Sequence, residues 1–269
     1  MFENIIKNVH NRHPLIHCIT NYVSINDCAN IVLACGGAPI MAEDINEVSQ
    51  ITSICQGLDI NIGMLNDNKL SSMLKAGATA NELGIPVILD PVGAGSSDYR
   101  IKAVQNLMSN VQFGVIRGNV SEIKAIAAKQ GIHNIAAGVY ETMQKNKSAM
   151  GVEAGIADKI TDDNIKEMAD FINKLSQKTG AVIAVTGGID MVADENRVYA
   201  IRNGHKMMSL VTGAGCQLSA LTSAYVAADK EHILESVCAA VSVMGISGEL
   251  AYRRMAEVDL SLIHISEPT

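Results

Sequence analysis

Leu58-Asp59-Ile60-Asn61-Ile62-Gly63, then a helix-like stretch from Lys69 to Leu83, then Pro86-Val87-Ile88-Leu89-Asp90 decide the fold of this chain. Two short apolar runs flank a helical pattern, and the second run is rich in branched residues and ends in a carboxylate. The rhythm continues outward, with Val111 to Ile116 preceding a helical Ser121 to Lys129. Ile165, Met168, Ala169, Ile172 and Leu175 recur at helical spacing and form one apolar face. Ala181-Val182-Ile183-Ala184-Val185 follows as a fully buried strand. Repeated strand–helix alternation predicts an α/β fold, a mostly parallel sheet with helices on both faces. Asp190 to Leu210 breaks the rhythm. Turn signals at Asp194-Glu195-Asn196 and Asn203-Gly204-His205 flank Val198-Tyr199-Ala200-Ile201 and predict an antiparallel meander. After Cys216, two long Ala-rich helical stretches run to about Met255.

The 269 residues are 48% apolar, which suits one large α/β domain, and no internal repeat or low-complexity linker divides them. A single domain over residues 1–259 is expected. The formal net charge of −7 argues against a general affinity for nucleic acid, and three Phe, six Tyr and no Trp leave few platforms for stacking bases. The six cysteines show no C-x-x-C pair and no zinc-like spacing, so they read as small buried hydrophobes. No run approaches the roughly 18 apolar residues of a membrane span. Residues Met1 to Asn11 lack the apolar core of a signal peptide, and a reducing cytoplasm is the expected location. Gln130 to Gly151 is polar and loosely patterned, which predicts an insertion or loop. Leu260 to Thr269 shares no pattern with what precedes it and resembles a translated sequencing adapter. The natural sequence is therefore expected to stop near Asp259, with no function in residues 260–269.

Val211-Thr212-Gly213-Ala214-Gly215-Cys216-Gln217-Leu218-Ser219-Ala220 carries the strongest chemical signal. A β-branched pair runs through glycine-spaced small residues into a helix, aiming free N–H groups and a helix dipole at one spot where an anion can sit. Other polar residues fall at strand ends, where ligands of open α/β sheets gather: Asp90, Arg117 with Asn119, and Thr186. Alone, each such residue is usually a turn former or a cap. No G-x-x-x-x-G-K-[ST] loop exists, and Leu218 breaks the dinucleotide fingerprint that Gly213-x-Gly215 would open. Gly93-Ala94-Gly95-Ser96-Ser97 reads as a plain turn.

Six islands together are highly specific: His17-Cys18-Ile19-Thr20-Asn21, Ala38-Pro39-Ile40-Met41-Ala42, Val87 to Gly95, Ile116-Arg117-Gly118-Asn119-x-x-Glu122, Val185-Thr186-Gly187 and Val211 to Cys216. In this order the chain resembles the hydroxyethylthiazole kinases, from about His13 to Asp259. The resemblance implies a ribokinase-like, three-layer fold and transfer of the ATP γ-phosphoryl to the primary alcohol of 4-methyl-5-(2-hydroxyethyl)thiazole, with Mg²⁺, in thiamine salvage. It implies Arg117, Thr186 and Asn119 on the nucleotide, and Asp90 and Glu122 in the metal environment. Met41, Gly213 and Asn21 would meet the thiazole alcohol, and a homotrimer with sites at subunit boundaries is implied. Cys216, with the Gly213, Ala214 and Gly215 amides, would form the catalytic turn.

Chemistry agrees with these roles in part. Arginine's planar fork suits phosphate oxygens, and Mg²⁺ keeps several waters and needs few carboxylates. Glu122 reads equally well as an ordinary first-turn helix acid. His17 reads as a packed or capping histidine. Most sugar kinases of this fold carry Asp where Cys216 stands; a helix N-terminus is expected to draw the thiol pKa down. Two rival readings remain at this point. One is a related small-alcohol kinase acting on a hydroxymethylpyrimidine or a sugar; the other is a silent protein that binds thiazole or nucleotide as a sensor.

Overall fold

The computed structural model describes residues 2–132 and 159–254. The predicted insertion from residue 133 onward and the tail at 260–269 lie outside the described residues.

The stretch that decides the fold forms β3 (Gly57–Asn61), α4 (Asp67–Glu82) and β4 (Val87–Asp90), and the two strands pair in parallel with Asn61 beside Asp90. A crossover of this length carries the chain back over the sheet, which a hairpin cannot do. Helix α4 starts where the Asn66 side chain accepts the Lys69 amide at 2.9 Å, satisfying one of the otherwise unpaired first-turn donors. The same unit repeats around it. Upstream lie α1 (Phe2–Arg12), β1 (Leu15–Ile19), α2 (Ile25–Ala34), β2 (Ala38–Met41) and α3 (Val48–Ile54). Downstream lie α5 (Asp98–Asn110), β5 (Val115–Asn119), α6 (Val120–Lys129), α7 (Ile165–Thr179) and β6 (Val182–Thr186). β7 (Asp190–Ala193) and β8 (Val198–Ile201) follow, then α8 (Ala214–Ala228) and α9 (Ile233–Arg254).

The strand order is β2-β1-β3-β4-β5-β6-β7-β8. Strands β1 to β6 pair in parallel, whereas β7 and β8 are antiparallel. The expected meander occupies only the first half of its segment. Beyond β8 the chain forms a short 3₁₀ turn, Lys206–Leu210, which the His205 ring opens by accepting the Met207 amide. The strand expected at Val111 to Ile116 begins later, at Val115, and extends to Asn119. Val111 and Phe113 pack into the core before the ladder starts, and the shift carries Arg117 and Asn119 into the strand itself.

Two apolar layers flank the sheet. Ile60, Leu89, Ile116 and Ile183 point to one face, against Met73, Leu107, Ile123 and Phe171 from α4 to α7. Ile16, Cys18, Ile88 and Val115 point to the other, against α1, α2, α8 and α9. Full burial of each large side chain contributes about 2 kcal/mol. Five of the six cysteines are buried, as expected of small hydrophobes, and Cys35 is half-buried. α9 is long and apolar enough to cross a membrane by length and composition, a property the sequence reading did not expect, yet half of that window is buried against the rest of the chain.

Candidate active site

Parallel strands all leave the sheet at the same edge, so residues scattered through the sequence meet there. Asp90 ends β4, Arg117 lies in β5 and Thr186 ends β6. Asp90 is fully buried; its Oδ2 accepts from Asn61 Nδ2 at 2.7 Å and from Ser219 Oγ at 2.8 Å. Oδ1 has no hydrogen-bond partner among the described residues and lies 3.6 Å from Arg117 Nη1. Burial pushes the Asp90 carboxyl up, while Arg117, Ser219 and Asn61 pull it back. The Arg117 guanidinium also donates to Thr186 Oγ1 at 2.7 Å and is almost completely buried, so it is no surface ion pair.

The same guanidinium lies under the start of α8. A Cβ on Gly215 would stand 2.8 Å from Arg117 Nη1. Glycine is thus what lets the helix mouth approach the arginine. At the preceding turn Gly213 adopts φ +76° and caps α8, and a Cβ there would stand 2.6 Å from Ser24 Cβ. Both the left-handed backbone and the contact require glycine. The Ala214 amide, expected to be free, is taken by the Val211 carbonyl at 3.3 Å because the chain turns tightly into the helix; the Gly215 and Cys216 amides open next to Asp90 and Arg117, which gives an anion site beside a buried carboxylate.

Cys216 lies on that first turn, buried, and its Sγ accepts from Asn21 Nδ2 at 2.9 Å. The amide is oriented by Ser24, whose N–H and Oγ both donate to Asn21 Oδ1 at 3.1 Å. Asn21 thus meets Cys216 directly. The expected fall in the thiol pKa does not occur: burial pushes it up and the Asp90 charge adds to this, outweighing the Ser24 and Asn61 hydrogen bonds and the Arg117 charge. At this site desolvation and a buried carboxylate exceed the pull of the helix terminus.

Asn119 and Glu122 form a reciprocal cap on α6. Asn119 Oδ1 accepts the Glu122 amide at 2.9 Å, and Glu122 Oε2 accepts the Asn119 amide at 2.8 Å. Glu122 Oε1 additionally accepts the Gly93 amide at 2.9 Å, so the glycine turn after β4 is tied to the acid. Burial and then the Asp90 charge push the Glu122 carboxyl up, with the two amides and Arg117 opposing. Glu122 is thus a helix cap, one of its two readings, and it also shares an electrostatic field with Asp90. Two acids in one buried region are a setting that a cation would relieve. Among the described residues no three His, Cys, Asp or Glu side chains form a ready-made metal cage.

Met41 ends β2, and its strand runs parallel to β1 with Cys18 beside Met41. His17 is fully buried, its ring bonded to Thr52 Oγ1 at 2.9 Å and to the Ala42 carbonyl at 2.8 Å, which is the packing role expected of it. Burial lowers its pKa.

The sequence pattern of the hydroxyethylthiazole kinase family matches residues 6–161 and 132–264. The hydroxyethylthiazole kinase of Clostridium acetobutylicum is 51% identical over 96% of this chain and 89% of its own length. The chain belongs to the hydroxyethylthiazole kinase family. A solved hydroxyethylthiazole kinase from Pyrococcus horikoshii OT3 is 31% identical and superposes with a TM-score of 0.81 over 98% of this chain and 89% of its own. A ribokinase-like superfamily protein from Enterococcus faecalis V583 superposes at 0.59 with 12% identity over 97% of this chain and 86% of its own. That likeness places the fold among the ribokinase-like proteins. Membership of the hydroxyethylthiazole kinase family makes the chain a kinase.

Four residues around this kinase's cleft were missed in the sequence. Asn61 and Ser219 hold Asp90, Ser24 orients Asn21, and Asp190, at the start of β7, lies within the field of the Arg117 charge. Burial raises the Asp190 pKa to about 6, against the Gly187 amide and the Arg117 charge. Two carried a usable signal: Asn61 is a polar residue at the end of a strand, and Ser219 lies one helical turn beyond Gly215.

Proposed function

We propose that this chain transfers the γ-phosphoryl of ATP to the primary alcohol of 4-methyl-5-(2-hydroxyethyl)thiazole, in thiamine salvage. The carrying observation is the meeting of Asp90, Arg117 and Thr186 with the glycine-spaced mouth of α8. ATP lies along Arg117, Thr186 and Asn119, and the alcohol lies among Met41, Asn21, Gly213 and Cys216. The hydroxyl attacks the γ-phosphorus in line, and the bond to the β,γ-bridging oxygen breaks. The Gly213, Gly215 and Cys216 amides and the α8 dipole steady the charge on the transferring group, whereas the Ala214 amide is taken by the Val211 carbonyl. Phosphoryl transfer has a loose transition state, so the hydroxyl proton leaves late, to an oxygen of the transferred phosphoryl group or to water, and a strong base is not essential. That suits a thiol held mostly protonated.

A divalent ion fits the residues present. Asp90 Oδ1 accepts no hydrogen bond among the described residues, and Glu122 shares its field while both acids are pushed up by burial. Asp90 and Glu122 would hold hydrated Mg²⁺, which when bound neutralises charge on the nucleotide phosphates. The six free cysteines accord with a reducing cytoplasm.

A coupled assay of ADP release across candidate alcohols tests the reading. The thiazole alcohol is expected to be turned over fastest, and EDTA is expected to stop turnover. Faster turnover of a hydroxymethylpyrimidine would overturn the substrate assignment. Tight binding of thiazole and Mg²⁺-ATP without transfer would replace the enzyme by a sensor.

We further propose a homotrimer with sites at subunit boundaries. Leu210, Val211, Ile246, Leu250 and Tyr252 are exposed on α9 and the segment before α8, which gives a subunit contact apolar surface to cover. Light scattering is expected to give three times the 28.6 kDa chain mass; a monomer at micromolar concentration would contradict it.

A further inference from the structure

Among the buried cations that the mechanism leaves unused is Lys69, on the first turn of α4. Its side chain is 2% exposed, and its ammonium meets three groups from two other segments. It donates to the Thr20 carbonyl at the end of β1, pairs with Glu43 Oε2 at 2.9 Å, and lies 4.4 Å from the centroid of the Tyr22 ring. The Tyr22 hydroxyl donates to the other Glu43 oxygen, which closes the cluster.

The partners matter for their neighbours. Thr20 and Tyr22 flank Asn21, whose amide holds Cys216. Glu43 follows Met41 by two residues, just past the end of β2. One ammonium thus ties together the segments at the ends of β1 and β2, which carry Asn21 and Met41, two of the four residues assigned to the alcohol, and it does so from a helix whose own start is pinned by Asn66. A buried lysine loses hydration and rotamer freedom, and here those losses are met by a carbonyl, a carboxylate and a ring face. Partial burial pushes the Glu43 carboxyl up, but the Tyr22 hydroxyl and the Lys69 ammonium outweigh it, so its pKa falls below the ordinary range. The carboxylate therefore stays charged across the working pH range, and the clamp is not a pH switch.

We propose that Lys69 is a positioning residue for the acceptor alcohol, clamping the Asn21 and Met41 loops at the separation that the thiazole requires. This rests on the assignment of those two residues to the alcohol. Among the described residues, the clamp's hydrogen bonds, ion pair and ring contact join Lys69 to Thr20, Tyr22 and Glu43 and reach none of Arg117, Thr186 and Asn119 on the nucleotide side.

The test is steady-state kinetics of the full chain, varying the thiazole alcohol at saturating Mg²⁺-ATP and then the reverse. Lys69→Met is expected to raise KM for the alcohol about tenfold while KM for ATP stays within about twofold, because only the alcohol loops are released. Lys69→Arg, which keeps the charge and the donors, is expected to recover most of that loss. An unchanged alcohol KM in a folded Lys69→Met overturns the proposal, and so does an equal rise in both KM values, the mark of general loosening. Should Lys69→Met fail to fold, the double variant Tyr22→Phe, Glu43→Gln opens the clamp from its exposed rim and carries the same expectations. Met41→Ala removes none of the clamp's hydrogen bonds and tests the acceptor pocket separately from the clamp. A raised alcohol KM there, with none in Lys69→Met, removes the clamp alone. An unchanged one removes the acceptor-pocket assignment and the clamp with it.

Discussion

Cys216 is held by a 2.9 Å bond from the Asn21 amide and, through burial and the Asp90 charge, by an environment that favours its protonated form. A protonated thiol is a poor acceptor for the substrate's hydroxyl proton. A carboxylate at the same place would accept it, and both the Asn21 amide and the α8 terminus would favour its charge. Cys216→Asp is therefore expected to keep kcat at neutral pH or raise it by up to about tenfold. Complete loss of turnover in a folded variant would remove Cys216 from the acceptor side. The cysteine's place was legible in the sequence because the glycine spacing and the following helix are local. Its protonation was not, because burial and then the charge of Asp90, more than a hundred residues away in the chain, decide it, and both arise only in the fold. Glu122 shows the same limit: its spacing from Asn119 fits both a cap and a metal-site acid, and the structure ties it to the Gly93 amide as well.

Helix α8 concentrates the chemistry because its first turn is built from residues with almost no side chain. Gly213 supplies φ +76° against Ser24, and Gly215 leaves room for the Arg117 guanidinium. Valine at 213 would combine a left-handed backbone with a branched side chain driven into Ser24, which costs about 1–3 kcal/mol. Gly213→Val is expected to lower kcat/KM at least about a hundredfold, since small misplacements of catalytic groups have effects of that order. Its circular dichroism should stay native, with a reduced melting temperature. Wild-type turnover would take the turn out of the mechanism. Elements with strong periodicity, such as β3–α4–β4 and α7, stood out in the sequence because burial on a helix or strand face leaves a local pattern. The start of β5 did not, since Val111 and Phe113 are as apolar as strand residues but are buried as a connection. The same blindness hid the 3₁₀ turn after β8, where a side-chain cap and not hydrophobic alternation decides the conformation.

Across the whole molecule, the doubly covered sheet was legible because alternation of elements dictates it, but the fate of individual acids was not. The apolar run Leu58 to Ile62 contains Asp59, which the fold buries completely beside Cys18 of the neighbouring strand. Neither of its carboxyl oxygens has a hydrogen-bond partner among the described residues. Burial, then the Asp90 charge, pushes its pKa well above the ordinary range, and Asp90, Glu122 and Asp190 are raised as well. Each of these groups binds its proton more tightly in the folded chain than in the unfolded one. Below about pH 4 both states are protonated and the stability associated with these acids is fully present. As pH rises, the unfolded chain releases protons that the folded chain retains, and stability falls by about 1.4 kcal/mol per pH unit for each group until its folded pKa is passed. For Asp190 that loss is complete by about pH 6. Glu43 and Asp194, held low by their partners, act in the opposite sense and only at the acid end. The ligand-free protein is therefore expected to melt at a higher temperature at pH 5.5 than at pH 8. Asp59→Val removes an acid of this group that plays no part in the proposed chemistry and has neither oxygen hydrogen-bonded among the described residues. It is expected to add about 1–3 kcal/mol at pH 8 and to flatten the pH dependence, with the alcohol and ATP KM values unchanged. Denaturant melts of both proteins at the two pH values measure this directly. A variant that keeps the wild-type slope would show that Asp59 is paired or solvated in solution, and that the pH dependence belongs to Asp90, Glu122 and Asp190 alone.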